Sequence, residues 1–155
     1  MGRDHEARKN DPRAIGRSRG GLTTRIHALV DALGNPVELM LTPGQAHDLT
    51  YAEHSINSID PAALLCDRAY DADSLIDTLN RREITPVIQP KANRTVQRNC
   101  DFLLYCERNL VELFFNKLEH FRAIATRYDE LARNFLAGVQ LASAIISLNV
   151  RQALV

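Results

Sequence analysis

The chain has 155 residues, 45% of them apolar and 25% charged, with 19 basic and 19 acidic side chains that cancel to zero net charge. That length supports one globular core and is short for two, and the balanced charge excludes a uniformly basic or acidic protein. The longest apolar run, residues 136–150, contains Gln140, two serines and Asn149, so it reads as a packed helix and not as a membrane span. The N-terminal arginines have no hydrophobic segment behind them, which argues against a secretory signal. Cys66, Cys100 and Cys106 show neither C-x-x-C nor zinc-ligand spacing, and their odd number suits a reducing cytoplasm.

The charge is unevenly distributed. Residues 1–27 carry seven Arg/Lys against three acids, residues 28–80 one against nine, and residues 81–155 eleven against seven, giving +4, −8 and +4. Basic ends flanking an acidic middle suit a polyanion partner together with carboxylates for a hard cation. Ordinary surface charge gives a similar pattern.

Residues 1–21 are polar, Gly/Arg-rich and without periodicity, and read as a flexible basic lead-in to a domain over 22–155. Thr23–Val30 and Val37–Leu41 alternate apolar and polar residues around Gly34-Asn35-Pro36, which predicts a β-hairpin. Asp31 belongs to its turn for backbone reasons. The Thr42–Asp48 loop leads into a helix over 48–59. His47 beside Asp48 is either an orienting pair or, more simply, a loop histidine and a helix cap.

The apolar run Ala62–Cys66 predicts a strand that stops at Asp67. A carboxylate there lies at the carboxyl edge of a sheet, where α/β folds build their sites, so Asp67 is the first sharp candidate. A helix over 74–82 and a strand over 85–89 complete a strand–helix–strand unit with parallel strands. The loop that follows, with Lys91, Asn93, Arg94 and Arg98, suits phosphate contacts or a solvated connector.

From Tyr105 to Phe121 the pattern is helical. At about 100° per residue, Tyr105, Arg108, Glu112 and Glu119 fall within roughly 60° of one another, beside an apolar face of Val111, Phe114, Phe115, Leu118 and Phe121. By pattern alone this stripe is either a functional acid beside a buried face or a plain solvated face. Residues 125–129 interrupt the helix, and 131–150 form a last, scaffolding helix.

Seven collinear segments carry a resemblance: Gly16-Arg-Ser-Arg-Gly-Gly-Leu-Thr-Thr, His27-Ala-Leu-Val-Asp-Ala-Leu-Gly-Asn-Pro, Leu41-Thr-Pro-Gly-Gln-Ala-His-Asp, Asp67-Arg-Ala-Tyr-Asp, Pro90-Lys-Ala-Asn-Arg, Arg108-Asn-Leu-Val-Glu and Arg122-Ala-Ile-Ala-Thr-Arg-Tyr-Asp. Together they resemble the C-terminal catalytic part of bacterial insertion-sequence transposases of the DDE class. The resemblance implies an α/β, ribonuclease-H-like mixed sheet with helices, incomplete because the first central strand and its catalytic Asp are missing. Asp4 and Asp11 lie in the lead-in and do not replace it. By the same resemblance the chain looks like the downstream frame of a two-frame element or a truncated copy.

The family signature is Tyr, two residues, Arg, three residues, Glu, six residues, Lys. Tyr105, Arg108 and Glu112 fit it, whereas Glu119 stands where the lysine belongs. The resemblance therefore implies Asp67 and Glu112 as catalytic, metal-binding acids. Arg108, Tyr105, Lys91, Asn93, Arg94, Arg17 and Arg19 become the expected DNA contacts. It implies two Mg²⁺ or Mn²⁺ ions, complete only with the missing Asp restored, and phosphoryl transfer on double-stranded DNA at transposon ends. Its expected partners are an upstream-frame product or a full-length transposase, or further copies of itself, in the cytoplasm and without a membrane. Two other outcomes stay open at this point: a catalytically dead DNA-binding or inhibitory fragment, and a structural α/β domain without activity.

Overall fold

The computed structural model describes residues 16–18, 21–46, 48–126 and 131–153. It is a mixed α/β structure with small sheets. The chain divides into two compact units, one of residues 1–46 with 111–155 and one of residues 47–110, where length alone points to one core.

In the first unit the predicted hairpin forms as β2 (Gly21–Val30) and β3 (Pro36–Pro43), with Ile26 opposite Leu41 and Ala28 opposite Leu39. Its turn is closed by Asp31, whose Oδ1 accepts the backbone N–H groups of Leu33 and Asn35, both at 2.9 Å. Gly34 takes the left-handed conformation there, at φ 79°, which costs a side-chain-free residue nothing. Gly16–Ser18, expected within the lead-in, forms a short strand β1 that pairs antiparallel with Gly21–Thr23 of β2.

One face of the hairpin, Ile26, Ala28, Val30, Leu39 and Leu41, packs on a buried cluster of Phe114 and Leu118 from α4 (Asn109–Glu119) and Phe135, Val139, Ala142 and Ile146 from α6 (Ala132–Ala153). Residues 135, 139, 142 and 146 recur at helical spacing, so α6 turns one stripe inward. Burying each large apolar side chain stabilises by about 1.5–3 kcal/mol. At the end of β3, Gly44 donates its N–H to the Thr23 carbonyl at 3.0 Å, and a Cβ at this position would meet Thr23 Oγ1 at 1.9 Å, so the close approach requires glycine.

The second unit holds the predicted strand–helix–strand. β4 (Ala63–Cys66) and β5 (Thr85–Ile88) pair in parallel, Cys66 opposite Ile88, and α2 (Asp73–Arg81) crosses between them. Leu75, Ile76 and Leu79 of α2 are buried, as are Leu64, Val87 and Ile88 of the strands and Tyr51, Ala52 and Ile56 of α1 (Asp48–Ile56). α2 ends in a Schellman motif, with Glu83 N–H donating to the Asn80 carbonyl at 3.1 Å and Ile84 N–H to that of Leu79 at 2.9 Å. The residue after its cap is Glu83, at φ 59°, where glycine is usual. Arg82 then donates to the carbonyls of Ile56 and of Ile59, the latter at 2.6 Å, tying the end of α2 to the end of α1.

The described strands form separate sheets of three and two strands. One sequence expectation changes. The helix expected to run from Tyr105 to Phe121 is broken. α3 (Phe102–Cys106) ends before Glu107 and Arg108, α4 starts at Asn109, and α5 (Arg122–Thr126) follows a second break at His120 and Phe121. α3 is a separate turn because Asp101 caps it, its carboxylate accepting the N–H groups of Leu103 and Leu104 at 3.0 and 3.1 Å. The helical periodicity carries through both breaks, which is why the pattern alone did not reveal them.

Candidate functional site

β4 delivers Asp67 to the carboxyl end of the parallel pair. Its backbone is extended, and a 3-10 turn over Arg68–Tyr70 follows at once, so the carboxylate stands clear of the strand with 56% of its side chain exposed. Asp67 Oδ1 lies 3.0 Å from Arg108 Nη1. The guanidinium of Arg108 sits 5.3 Å from the centre of the Tyr105 ring, a cation–π arrangement. Tyr105, Arg108 and Asp67 are thus one contact chain, made possible by the turn that separates α3 from α4. The Tyr-x-x-Arg spacing works through this turn and not along a continuous helix.

Next to Asp67, burial pushes the Cys66 thiol up to about 12, and the neighbouring Asp67 charge adds to the shift. Cys66 therefore stays protonated and supplies no thiolate.

Four residues after Asp67 lies a group that the sequence reading passed over. The Asp71 carboxylate is 1% exposed and accepts three donors: the Lys91 N–H at 2.7 Å, Arg94 Nε at 2.6 Å and Arg98 Nη1 at 2.7 Å. Burial alone would raise its pKa. The bonds from Arg94 and Lys91 and the charges of both arginines outweigh that and hold it below the usual carboxylate value. The second carboxylate, Asp73, lies in the first turn of α2 and is 71% exposed; its Oδ1 accepts from Arg94 Nη2 at 2.9 Å and from Arg98 Nη2. Its pKa is also lowered, first by the Arg94 bond.

These groups meet because β4 and β5 are parallel neighbours, so the loops that leave them emerge side by side. The signal was present as Asp71-x-Asp73 and Arg94-x-x-x-Arg98, opposite charges on the two exit loops. It becomes legible only once the strands are paired.

The remaining candidates are more dispersed. Glu112 is exposed in the first turn of α4, where the helix dipole favours an acid. Glu119 is exposed at the other end of α4, where the dipole disfavours one. Asn93 is exposed and Lys91 half-buried. Arg17 lies in β1, opposite Leu22. Arg19 and His47 fall outside the described residues, as do Asp4, Asp11 and residues 127–129.

Among the described residues no group of three His, Cys, Asp or Glu side chains is close enough to hold a metal ion. Asp67 fits as one ligand to a hard cation, being a largely exposed carboxylate at a strand end. Among the described residues no helix is long and apolar enough to cross a membrane.

Comparison with known proteins gives a consistent result. Residues 3–147 match the family described as Transposase DDE domain. The chain is 36% identical over 127 residues to a protein of Brucella ovis described as a transposase for insertion sequence element IS6501, covering 81% of this chain and 98% of the relative. It is 28% identical over 153 residues to a protein of Burkholderia cepacia described in the same terms for insertion sequence element IS402, covering 91% of this chain and 69% of the relative. No solved structure matches the chain.

Proposed function

The chain belongs to the DDE transposases of insertion sequences, and on that premise we propose that it is a DNA transposase domain of ribonuclease-H-like type in which Asp67 and Glu112 are metal-binding carboxylates. The observation that carries this reading is the Asp67–Arg108–Tyr105 chain. The acid at the strand end and the Tyr-x-x-Arg signature are far apart in sequence, yet they meet at 3.0 Å and 5.3 Å within one unit.

Asp67 and Glu112 would hold Mg²⁺ or Mn²⁺, which would supply activation of a water or 3′-hydroxyl and charge stabilisation of the leaving 3′-oxygen. Asp67 presents hard oxygen ligands for such an ion. In the free protein Arg108 balances the Asp67 charge, with the Tyr105 ring against its guanidinium, and with a cation on Asp67 the same guanidinium would be available to a DNA phosphate. Lys91, Asn93 and Arg17, together with Arg19, supply further backbone contacts. A third carboxylate, from a partner such as an upstream-frame product, a full-length transposase or a second copy, would complete the metal site. The isolated chain is then inactive in cleavage. Three free cysteines support a reducing, cytoplasmic setting.

The test is a strand-cleavage assay on transposon-end DNA with Mg²⁺, comparing this chain alone with a version fused to the upstream product. The fused protein cleaves, and Asp67→Ala or Glu112→Ala in it reduces cleavage to background. Intact cleavage by both variants sinks the assignment.

Glu119 favours a second reading. An exposed acid in place of the signature lysine repels DNA phosphate, which suits an inhibitory partner of a complete transposase better than an efficient enzyme. In that case the fused protein also fails to cleave and, added to an active transposase, lowers its activity.

A further inference from the structure

We propose that Arg94 and Arg98 form a two-pronged receptor for a DNA backbone phosphate, and that in the free protein the exposed Asp73 carboxylate occupies the place of the phosphate oxygens. The inference rests on the DNA-transposase reading and adds a site to it.

The geometry separates the two faces of each guanidinium. On the inner side Arg94 Nε and Arg98 Nη1 donate to opposite oxygens of Asp71, at 2.6 and 2.7 Å, and that carboxylate is 1% exposed. This fixes both arginines independently of Asp73. On the outer side the Nη2 atoms of both converge on one oxygen, Asp73 Oδ1, on a side chain that is 71% exposed. One N–H from each guanidinium thus converges on a single anionic oxygen, and two such charge-assisted bonds suit a phosphate oxygen as well as a carboxylate.

Charge and exposure decide which carboxylate yields. Releasing buried Asp71 would strand two guanidiniums, whereas Asp73 can turn into water with little penalty. The cluster has two positive and two negative groups and is neutral. With Asp73 withdrawn it carries one positive charge, which matches one phosphodiester. The fork also lies at the carboxyl edge of the β4–β5 pair, where Cys66 stands opposite Ile88 and Asp67 follows directly. A phosphate held there enters on the same edge as the candidate catalytic acid.

Fluorescence anisotropy of the full chain with a short duplex at low salt provides the test, with the exposed Asp77 of the same helix as a control for net charge. Asp73→Asn tightens duplex binding by about fivefold, as expected for relieving two exposed ion-pair arms, whereas Asp77→Asn changes it by less than about twofold. The gain disappears in Asp73→Asn combined with Arg98→Gln. In the otherwise unchanged chain, Arg98→Gln lowers the slope of log affinity against log salt by about one. Equal gains from Asp73→Asn and Asp77→Asn, or a gain that survives Arg98→Gln, overturn the fork while leaving DNA binding by the chain intact. If no variant binds duplex, the DNA reading itself falls. A parallel titration with inorganic phosphate then shows whether the fork takes a free anion instead, an outcome that also overturns the proposal as stated.

Discussion

Both units are built on an apolar core, and in the second the described ion pairs add charged staples to it. In the unit of the hairpin, α4 and α6, stability comes from an apolar cluster in which Phe114, Leu118 and Val139 are almost completely buried. In the unit of β4, α2 and β5, an apolar core that includes Ile56, Leu75, Leu79, Ile84 and Val87 is supplemented by charged staples. Arg94 and Arg98 close on Asp71 and Asp73, Arg108 closes on Asp67, and Arg82 closes on the carbonyls at the end of α1. Apolar packing is non-directional and cannot be exchanged for a ligand. A carboxylate–guanidinium staple can be exchanged for a metal ion on one side or a phosphate on the other. The unit that carries the candidate catalytic strand end therefore also holds exchangeable contacts.

Substitutions test how far each unit depends on its core and its staples, and the largest expected effect is in the core of the hairpin unit. Phe114→Ala should destabilise the chain by about 3–5 kcal/mol through the cavity it leaves. Hydrogen exchange should report the loss at β2, β3 and α6.

Asp71→Ala should cost about 3 kcal/mol, because both arginines lose their buried counter-charge. The effect should also depend on pH. The folded-state pKa of Asp71 lies below its unfolded value of about 3.9, so its stabilising contribution is fully present above that value. It is lost as pH falls toward and through the folded pKa. Acid unfolding curves of the parent and the variant should converge as the pH falls through the folded-state pKa of Asp71. A constant gap at all pH values would mean that Asp71 acts through packing alone.

A third substitution should stabilise. Glu83→Gly removes the side chain from a left-handed backbone position at φ 59° and should gain about 1 kcal/mol, since L-residues pay roughly 1–2 kcal/mol for that conformation. A lower melting temperature would show that the Glu83 side chain has a compensating contact.

Smallest in stability is Glu119→Lys, at an exposed position near the C-terminus of α4. It should shift the melting temperature by no more than a degree or so, corresponding to a few tenths of a kcal/mol. It should nevertheless tighten duplex binding and steepen its salt dependence. Unchanged affinity would show that position 119 does not approach DNA.

Local pattern determined a large part of this protein. Alternation around Gly34-Asn35-Pro36 specified the hairpin, the short apolar runs before Asp67 and before Pro90 specified a parallel pair, and helical spacing in 135–146 specified the inward face of α6. Each depends on periodicities that a few neighbouring residues set by themselves. Asp67, Arg108 and Tyr105 could likewise be singled out from position and spacing. The same spacing hid the breaks at Glu107–Arg108 and His120–Phe121, because a turn that keeps the apolar phase leaves no trace in it. Asp71 and Asp73 were invisible for another reason, and Arg98 could be read only as part of a basic loop. Their meaning lies in contacts spanning more than twenty residues of chain, which exist only after β5 has docked beside β4. Sequence thus determined which elements form and which acid ends a strand. Tertiary structure decided which charges meet, because ion pairing is a short-range property of space and not of sequence order.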